Sequence, residues 1–449
     1  MTKRKFAAAV LLIMLIAAAV MWFVLRSPQS AFEQPFSGDT ASAELIGKGE
    51  YAARVSDCVA CHSTPDSAPF AGGLKFATPV GDIYATNITP DKETGIGNYT
   101  LADFDKAVRH GVAKDGHRLY PAMPYPSYIK LNDDDVRALY AYFMHSVKPV
   151  KQPNRESEIP WPLNMRWPMA FWNLFFVDPA PSTSRPGENA AWNRGAYIVE
   201  GPGHCGSCHT PRGLAFNEKG LSADSKYYLA GALLDGWYAP SLRGDTNTGL
   251  GRWSEEDIYS FLKTGRNQHS VVFGSMTEAF NNSTQYMSDD DLRAIALYLK
   301  SLPPGVNSTD DSWKYDSSTA SKLTVSERSK HPGAQTFIAR CSSCHGVDGR
   351  GKAPWIPPLA GATSMLVNEA SAINITLNGS DRIVAGGKPD AYRMPPFRKQ
   401  LSDKEMTDVL NFVRSSWGNT GEKVKQESVT ELRERTDPAS SNVIILQMR

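Results

Sequence analysis

Hydrophobic and polar positions along this chain sort into one long apolar run and then into recurrent amphipathic stretches. Phe6 to Leu25 carries no charge, follows Lys3, Arg4 and Lys5, and stops at Arg26. An apolar run of ~20 residues is the length of one membrane span and longer than a cleaved leader needs. The basic flank places everything after it outside the cytoplasm. Cleavage after Ala17-Ala18-Ala19 would leave Val20 to Leu25 as a greasy new terminus. We therefore expect an uncleaved signal anchor within residues 1–30, with a cleaved signal peptide as the alternative.

Three later stretches share one pattern. Leu131-Asn132-Asp133-Asp134-Asp135, Met287-Ser288-Asp289-Asp290-Asp291 and Leu401-Ser402-Asp403-Lys404-Glu405 each precede an amphipathic run. Asn132, Ser288 and Ser402 read as helix N-caps, and the acids behind them suit the positive end of a helix dipole. A shorter helical pattern leads into each of three cysteine pairs: Gly49 to Asp57, Gly195 to Glu200 and Gly333 to Arg340. No alternating strand pattern of any length is visible. The expected class is all-α, with three small modules in tandem after the anchor.

The boundaries follow from composition. Module one spans 44–150, module two 187–302 and module three 327–418. Between the first two, 151–186 is rich in proline and aromatics, including Trp161, Trp167, Phe171, Trp172, Phe175 and Phe176. Such a segment is too apolar for a free tether. It either packs across the first two modules or exposes an aromatic patch to a partner or to the membrane interface. Residues 303–326 form a polar linker, and 419–449 a charged tail ending in Val443-Ile444-Ile445-Leu446.

An internal repeat supports this division. Tyr84 to Gly111 realigns without a gap on Tyr238 to Gly265, pairing Tyr84/Tyr238, Asp91/Asp245, Gly95/Gly249, Asp103/Asp257 and Gly111/Gly265. Thr100/Ser254 and Tyr99/Trp253 are near matches. Modules one and two are copies of one unit.

The composition of the 449 residues, with net charge +1 and 21% charged residues, is that of an ordinary soluble surface. It offers no basic stripe for nucleic acid. Cysteine changes the picture. All six fall in C-x-x-C pairs, Cys58/Cys61, Cys205/Cys208 and Cys341/Cys344, each followed at once by His62, His209 or His345. Positions i and i+3 of a helical turn share a face, so both thiols can bond one porphyrin, with the histidine at i+4 beneath the ring. The pattern therefore predicts three covalently bound haem c groups. Zinc would need two further ligands near each pair, and thiol–disulfide exchange would need no histidine.

His62, His209 and His345 are the expected proximal iron ligands. Met123, Met276 and Met394, each a few residues before a capped amphipathic run, are the expected sixth ligands. A methionine in that position closes the coordination sphere and raises the potential, which suits electron carriage rather than catalysis. His110, His117, His204 and His269 compete for the role but occupy no common position. Carbonyls from Pro358-Leu359-Ala360-Gly361 and Pro240-Ser241-Leu242-Arg243-Gly244 could hold two of the imidazole N–H groups, and Thr86 aligns with Pro240 in module one. Gly201-Pro202-Gly203-His204-Cys205-Gly206 matches a dinucleotide fingerprint by coincidence, since it overlaps a cysteine pair and follows no clear strand.

Cys341-Ser342-Ser343-Cys344-His345, Pro357-Pro358-Leu359, Met394-Pro395 and the run from Leu401 to Trp417 resemble class I cytochrome c. With Thr86-Asn87-Ile88-Thr89-Pro90-Asp91, Val108-Arg109-His110-Gly111-Val112, Tyr120-Pro121-Ala122-Met123-Pro124-Tyr125 and Met165-Arg166-Trp167-Pro168, the chain from about Gly47 to Asn419 resembles the triple-haem cytochrome subunits of membrane-bound periplasmic dehydrogenases. Within them it is most similar to that of gluconate 2-dehydrogenase, with alcohol and sorbitol dehydrogenase subunits related. The resemblance implies a subunit without substrate turnover of its own. It would pass electrons from a flavin- or quinone-dependent catalytic subunit to ubiquinone, on the periplasmic face of the inner membrane. A stand-alone or oxidase-linked carrier and a haem peroxidase are the competing readings.

Overall fold

The computed structural model describes residues 3–34, 40–178, 184–234, 236–306, 308 and 312–438. Helices dominate it. The N-terminal helix Lys3–Leu25 is long and apolar enough to cross a membrane, and none of its apolar window is buried in the rest of the chain.

Beyond it, three opening helices pack on three closing helices. Ala43–Val55 meets Asp133–His145, Ala190–Glu200 meets Asp289–Ser301, and Ala334–Arg340 meets Asp403–Arg414. The closing helices start where their caps predict: Asn132, Ser288 and Ser402 side chains accept the amides of Asp135, Asp291 and Glu405. The first two opening helices start earlier than Gly49 and Gly195. Ser42 accepts from the Leu45 amide and Asn189 from the Trp192 amide, so these polar residues set the first turn. Gly49 and Gly195 lie inside the helices instead, facing the Ala138 and Ala294 carbonyls so closely that a β-carbon would overlap them. Glycine there lets two helix backbones touch.

Each pair closes over an apolar cluster. Leu131, Val136, Leu139 and Phe143 fill the first. Trp192, Ile198, Leu292 and Tyr298 fill the second. Phe337, Met406, Leu410 and Trp417 fill the third. Side chains of this size contribute roughly 1.5–3 kcal/mol each when fully buried.

Three antiparallel hairpins were not expected from the sequence: Lys75–Thr78 with Gly81–Tyr84, Ala232–Leu234 with Trp237–Ala239, and Val384–Ala385 with Lys388–Pro389. Strands this short leave no period-two signature to read. The internal repeat is structural. Thr100 and Ser254 each form a capping box, with Asp103 and Asp257, and Gly111 and Gly265 end those helices in left-handed conformation.

The aromatic segment after the first helix pair packs on both flanking parts and leaves several aromatic rings exposed. Trp172 Nε1 donates to the Ala215 carbonyl at 2.8 Å and Tyr125 Oη to Asn173 Oδ1 at 2.7 Å, while Trp161, Trp167 and Phe175 stay exposed. The second and third parts meet where the Tyr238 amide donates to Ser371 Oγ at 2.8 Å and the Val384 amide to Asn281 Oδ1 at 2.9 Å. The charged tail is not wholly a tail. Gln426–Arg435 is a helix that buries Val429 and Leu432 on the third cluster. Val443 to Leu446 lies outside the described residues.

Candidate functional site

Each cysteine pair sits on one helical turn. The His62 amide donates to the Cys58 carbonyl at 3.1 Å, and His209 and His345 make the same bond to Cys205 and Cys341 at 3.0 Å. Residues i and i+3 of such a turn share a face, with the histidine one step beyond.

The imidazoles are oriented by backbone. His62 Nδ1 lies 2.7 Å from the Thr86 carbonyl oxygen, His209 Nδ1 2.7 Å from that of Pro240, and His345 Nδ1 3.0 Å from that of Pro357. A carbonyl can only accept, so Nδ1 carries the proton and Nε2 keeps its lone pair. Burial pushes all three histidines below the ordinary pKa, and the carbonyl bond offsets this only in part. They are held neutral, the form that binds a metal. In the third site the carbonyl comes from Pro357, one residue ahead of the expected stretch from Pro358. The Lys352 amide bonds Ile356 O and the Leu359 amide bonds Gly349 O, both at 2.8 Å, and together these turn Pro357 towards the ring.

A second backbone bond recurs at all three sites and was missed in the sequence. Gly72, Gly231 and Gly351 amides donate to the carbonyls of His62, His209 and His345 at 2.8, 2.8 and 2.9 Å. All three glycines have positive φ (76°, 89° and 66°), which a side chain would oppose. The signal was the shared Ala71-Gly72 and Ala230-Gly231, which fall outside the gapless register of the repeat.

Burial pushes the Cys58, Cys61 and Cys205 thiols up to about 12 and Cys341 to about 11. Such thiols are poor nucleophiles. Among the described residues no three His, Cys, Asp or Glu side chains converge as a metal cluster, so no pair gains the further ligands zinc requires.

The methionines differ. Met123 packs with Cys58 on the first cluster, and Met394 with Cys341 on the third. Met276 opens the short helix Met276–Asn282 and packs instead on a separate cluster of Val272, Phe280 and Ile383, away from the one that holds Cys205. Three of the competing histidines make side-chain contacts of their own. His117 Nδ1 contacts Asp115 at 2.5 Å, His204 lies edge-on to Tyr128 with ring centres 5.6 Å apart, and His269 stacks on Trp253 at 5.3 Å.

Two thioether-forming sulfurs, one neutral imidazole and an apolar wall are the donor set of a covalent haem. The residues present fit such a group. Buried polar atoms without a protein hydrogen-bond partner among the described residues include Asp57 Oδ1, beside Cys58, and Glu218 Oε2, which faces Gly206 in the Cys205–Cys208 turn.

The cytochrome c family model matches residues 193–303 and 331–417. The chain is 50% identical over 408 residues to the cytochrome c subunit of the quinone alcohol dehydrogenase of Gluconacetobacter polyoxogenes, covering 90% of this chain and 87% of that protein. It is also 50% identical over 392 residues to the gluconate 2-dehydrogenase cytochrome c subunit of Pantoea cypripedii, covering 85% and 87%. The fructose dehydrogenase cytochrome subunit of Gluconobacter japonicus is 36% identical over 443 residues, covering 93% and 89%.

Proposed function

This chain belongs to the cytochrome c subunits of dehydrogenase complexes, and from that premise we propose that it relays electrons from a catalytic dehydrogenase to ubiquinone through three covalently held haems. The observation that carries the reading is the threefold recurrence of one arrangement: a C-x-x-C turn, a histidine whose Nδ1–H is bound to a backbone carbonyl, and a left-handed glycine bonded to that histidine.

In this reading 44–150, 187–302 and 327–418 are three tandem cytochrome c domains. Cys58 and Cys61, Cys205 and Cys208, and Cys341 and Cys344 attach one haem each. His62, His209 and His345 would hold the iron through Nε2, with Met123, Met276 and Met394 as the further protein ligands. A haem so ligated supplies a one-electron carrier whose potential is set by its ligands and burial. The chain's own residues fix the imidazole, hold it neutral and wall the site with apolar side chains. Nothing in the arrangement calls for substrate turnover by this chain alone.

Lys3–Leu25 anchors the chain in the inner membrane, with the remainder on the periplasmic side, as its basic flank favours. The partner is a flavin- or quinone-dependent dehydrogenase of gluconate, polyol or alcohol type. Purification of the tagged chain from membranes in mild detergent, with mass spectrometry of co-eluting proteins, tests this. A dehydrogenase at equal stoichiometry is expected. Elution alone, or with a terminal oxidase, overturns the subunit reading.

A further inference from the structure

We propose that the segment 159–177, extended by the loop 213–217, is a lipid-facing shelf that seats this chain in the boundary between headgroups and acyl chains of a phospholipid bilayer. The inference rests on the reading of Lys3–Leu25 as a membrane anchor and adds to it a second, separate contact surface.

Between Glu158 and Asp178 the only charged residue is Arg166. Its guanidinium lies 3.6 Å from the Tyr120 ring centre and donates to the Arg118 carbonyl at 3.3 Å, so the one cation is turned towards protein. Apart from Asn164, the exposed side chains of the segment are apolar or proline. Trp161 is 78% exposed and Phe175 72%, with Leu163 and Trp167 exposed as well. The bond from Trp172 to the Ala215 carbonyl carries the surface on to Leu214 and Phe216, which are also exposed. Single exposed apolar residues are ordinary on a soluble protein, but a contiguous set is not. Tryptophan in such a set favours the membrane–water boundary.

Position selects the occupant. The helix Met169–Phe176 packs against Lys3–Leu25. The Arg118 guanidinium donates to the Val24 and Arg26 carbonyls at 3.3 and 3.2 Å, which ties the end of that helix to the edge of the shelf. A helix of 23 residues is about 35 Å long, enough for a hydrocarbon core of ~30 Å. Its basic residues stand at the opposite end. The shelf therefore lies where the helix leaves the bilayer, and its apolar face continues the apolar surface of the span. Lipid satisfies both at once. Tyr125, bonded to Asn173, places the Met123 loop directly on this shelf.

The test uses the full haem-loaded chain in vesicles of phosphatidylethanolamine and phosphatidylglycerol carrying a photoactivatable diazirine phospholipid. After illumination, labelled peptides are mapped by mass spectrometry. Labels on Lys3–Leu25, on 159–177 and on 213–217 are expected. Labels confined to Lys3–Leu25 overturn the shelf and leave the anchor standing, whereas a chain labelled nowhere removes the anchor reading as well. Shielding of the shelf by the co-purified dehydrogenase would make it a protein interface and also overturn the proposal. A paired variant, Phe175→Ser with Leu214→Ser, changes only exposed side chains. It is expected to keep full haem content and lose shelf labelling, and unchanged labelling counts against the proposal.

Discussion

The Tyr51 hydroxyl donates to Asp291 Oδ2 at 2.6 Å and accepts from the Ser288 amide at 3.1 Å, so a side chain of the first opening helix completes the cap of the second closing helix. Tyr197 makes the reciprocal contact, donating to Asp135 and accepting from the Asn132 amide at 3.2 Å. The first and second helix pairs thus contact each other reciprocally, through tyrosines at equivalent positions of the two opening helices. Flanking positions keep the reciprocity but not the chemistry: Lys130 pairs with Glu200 at 3.0 Å, while Arg54 lies over the Tyr286 ring at 4.3 Å. Tyr51→Phe and Tyr197→Phe are each expected to cost about 1 kcal/mol and together more than either, read from denaturant midpoints of the haem-loaded chain. Unchanged midpoints would mean that the caps do not depend on the facing tyrosines.

Asp291 gives this interface a pH dependence. Burial raises its pKa, but hydrogen bonds from Arg194 and Tyr51 outweigh burial and hold it below the ordinary aspartate value. A depressed carboxylate stabilises the fold above its unfolded pKa, and that stability is lost as pH falls through the folded value. The melting temperature is expected to drop below about pH 4, and Asp291→Asn is expected to flatten that drop. Because Arg194 is 40% exposed, the pH-linked part stays under about 1 kcal/mol.

Gly47 and Gly49 share one helix and separate packing from propensity. A β-carbon at Gly49 meets the Ala138 backbone, whereas one at Gly47 meets nothing within 4 Å. Gly49→Ala is expected to destabilise by about 1–3 kcal/mol, and Gly47→Ala to stabilise by roughly 0.5–1 kcal/mol. Thermal unfolding of the two variants compares them directly. Equal shifts would remove the close helix crossing from the account.

Much of this architecture is legible in the chain because its signals are local. Asn132, Ser288 and Ser402 mark helix starts, and each C-x-x-C-H motif is one turn long. What escaped the sequence depends on distant partners. Gly49 reads as an ordinary helix start until Ala138 is seen against it. Gly72, Gly231 and Gly351 bond their histidines across loops of unequal length, which broke the repeat register. The hairpin Lys75–Thr78 with Gly81–Tyr84 is too short to alternate visibly, and Gln426–Arg435 hides its two buried residues, Val429 and Leu432, among charges.

The three methionines test iron ligation site by site. Met123→Ala and Met394→Ala are each expected to remove about one third of the near-infrared methionine–iron absorption and to turn that fraction of the haem high-spin. Met276→Ala is expected to do the same, although Met276 packs on its own cluster. An unchanged spectrum in that variant would leave the second iron with another ligand or an open site.

The central claim is that electrons pass through this chain on their way to quinone. Its most direct test is stopped-flow spectroscopy of the intact complex in quinone-containing vesicles, following haem absorbance after addition of the dehydrogenase's substrate. Three haem equivalents per chain are expected to reduce and then reoxidise at the rate of quinol formation. Quinol forming faster than any haem turns over would show that the electrons bypass this chain and would contradict the account.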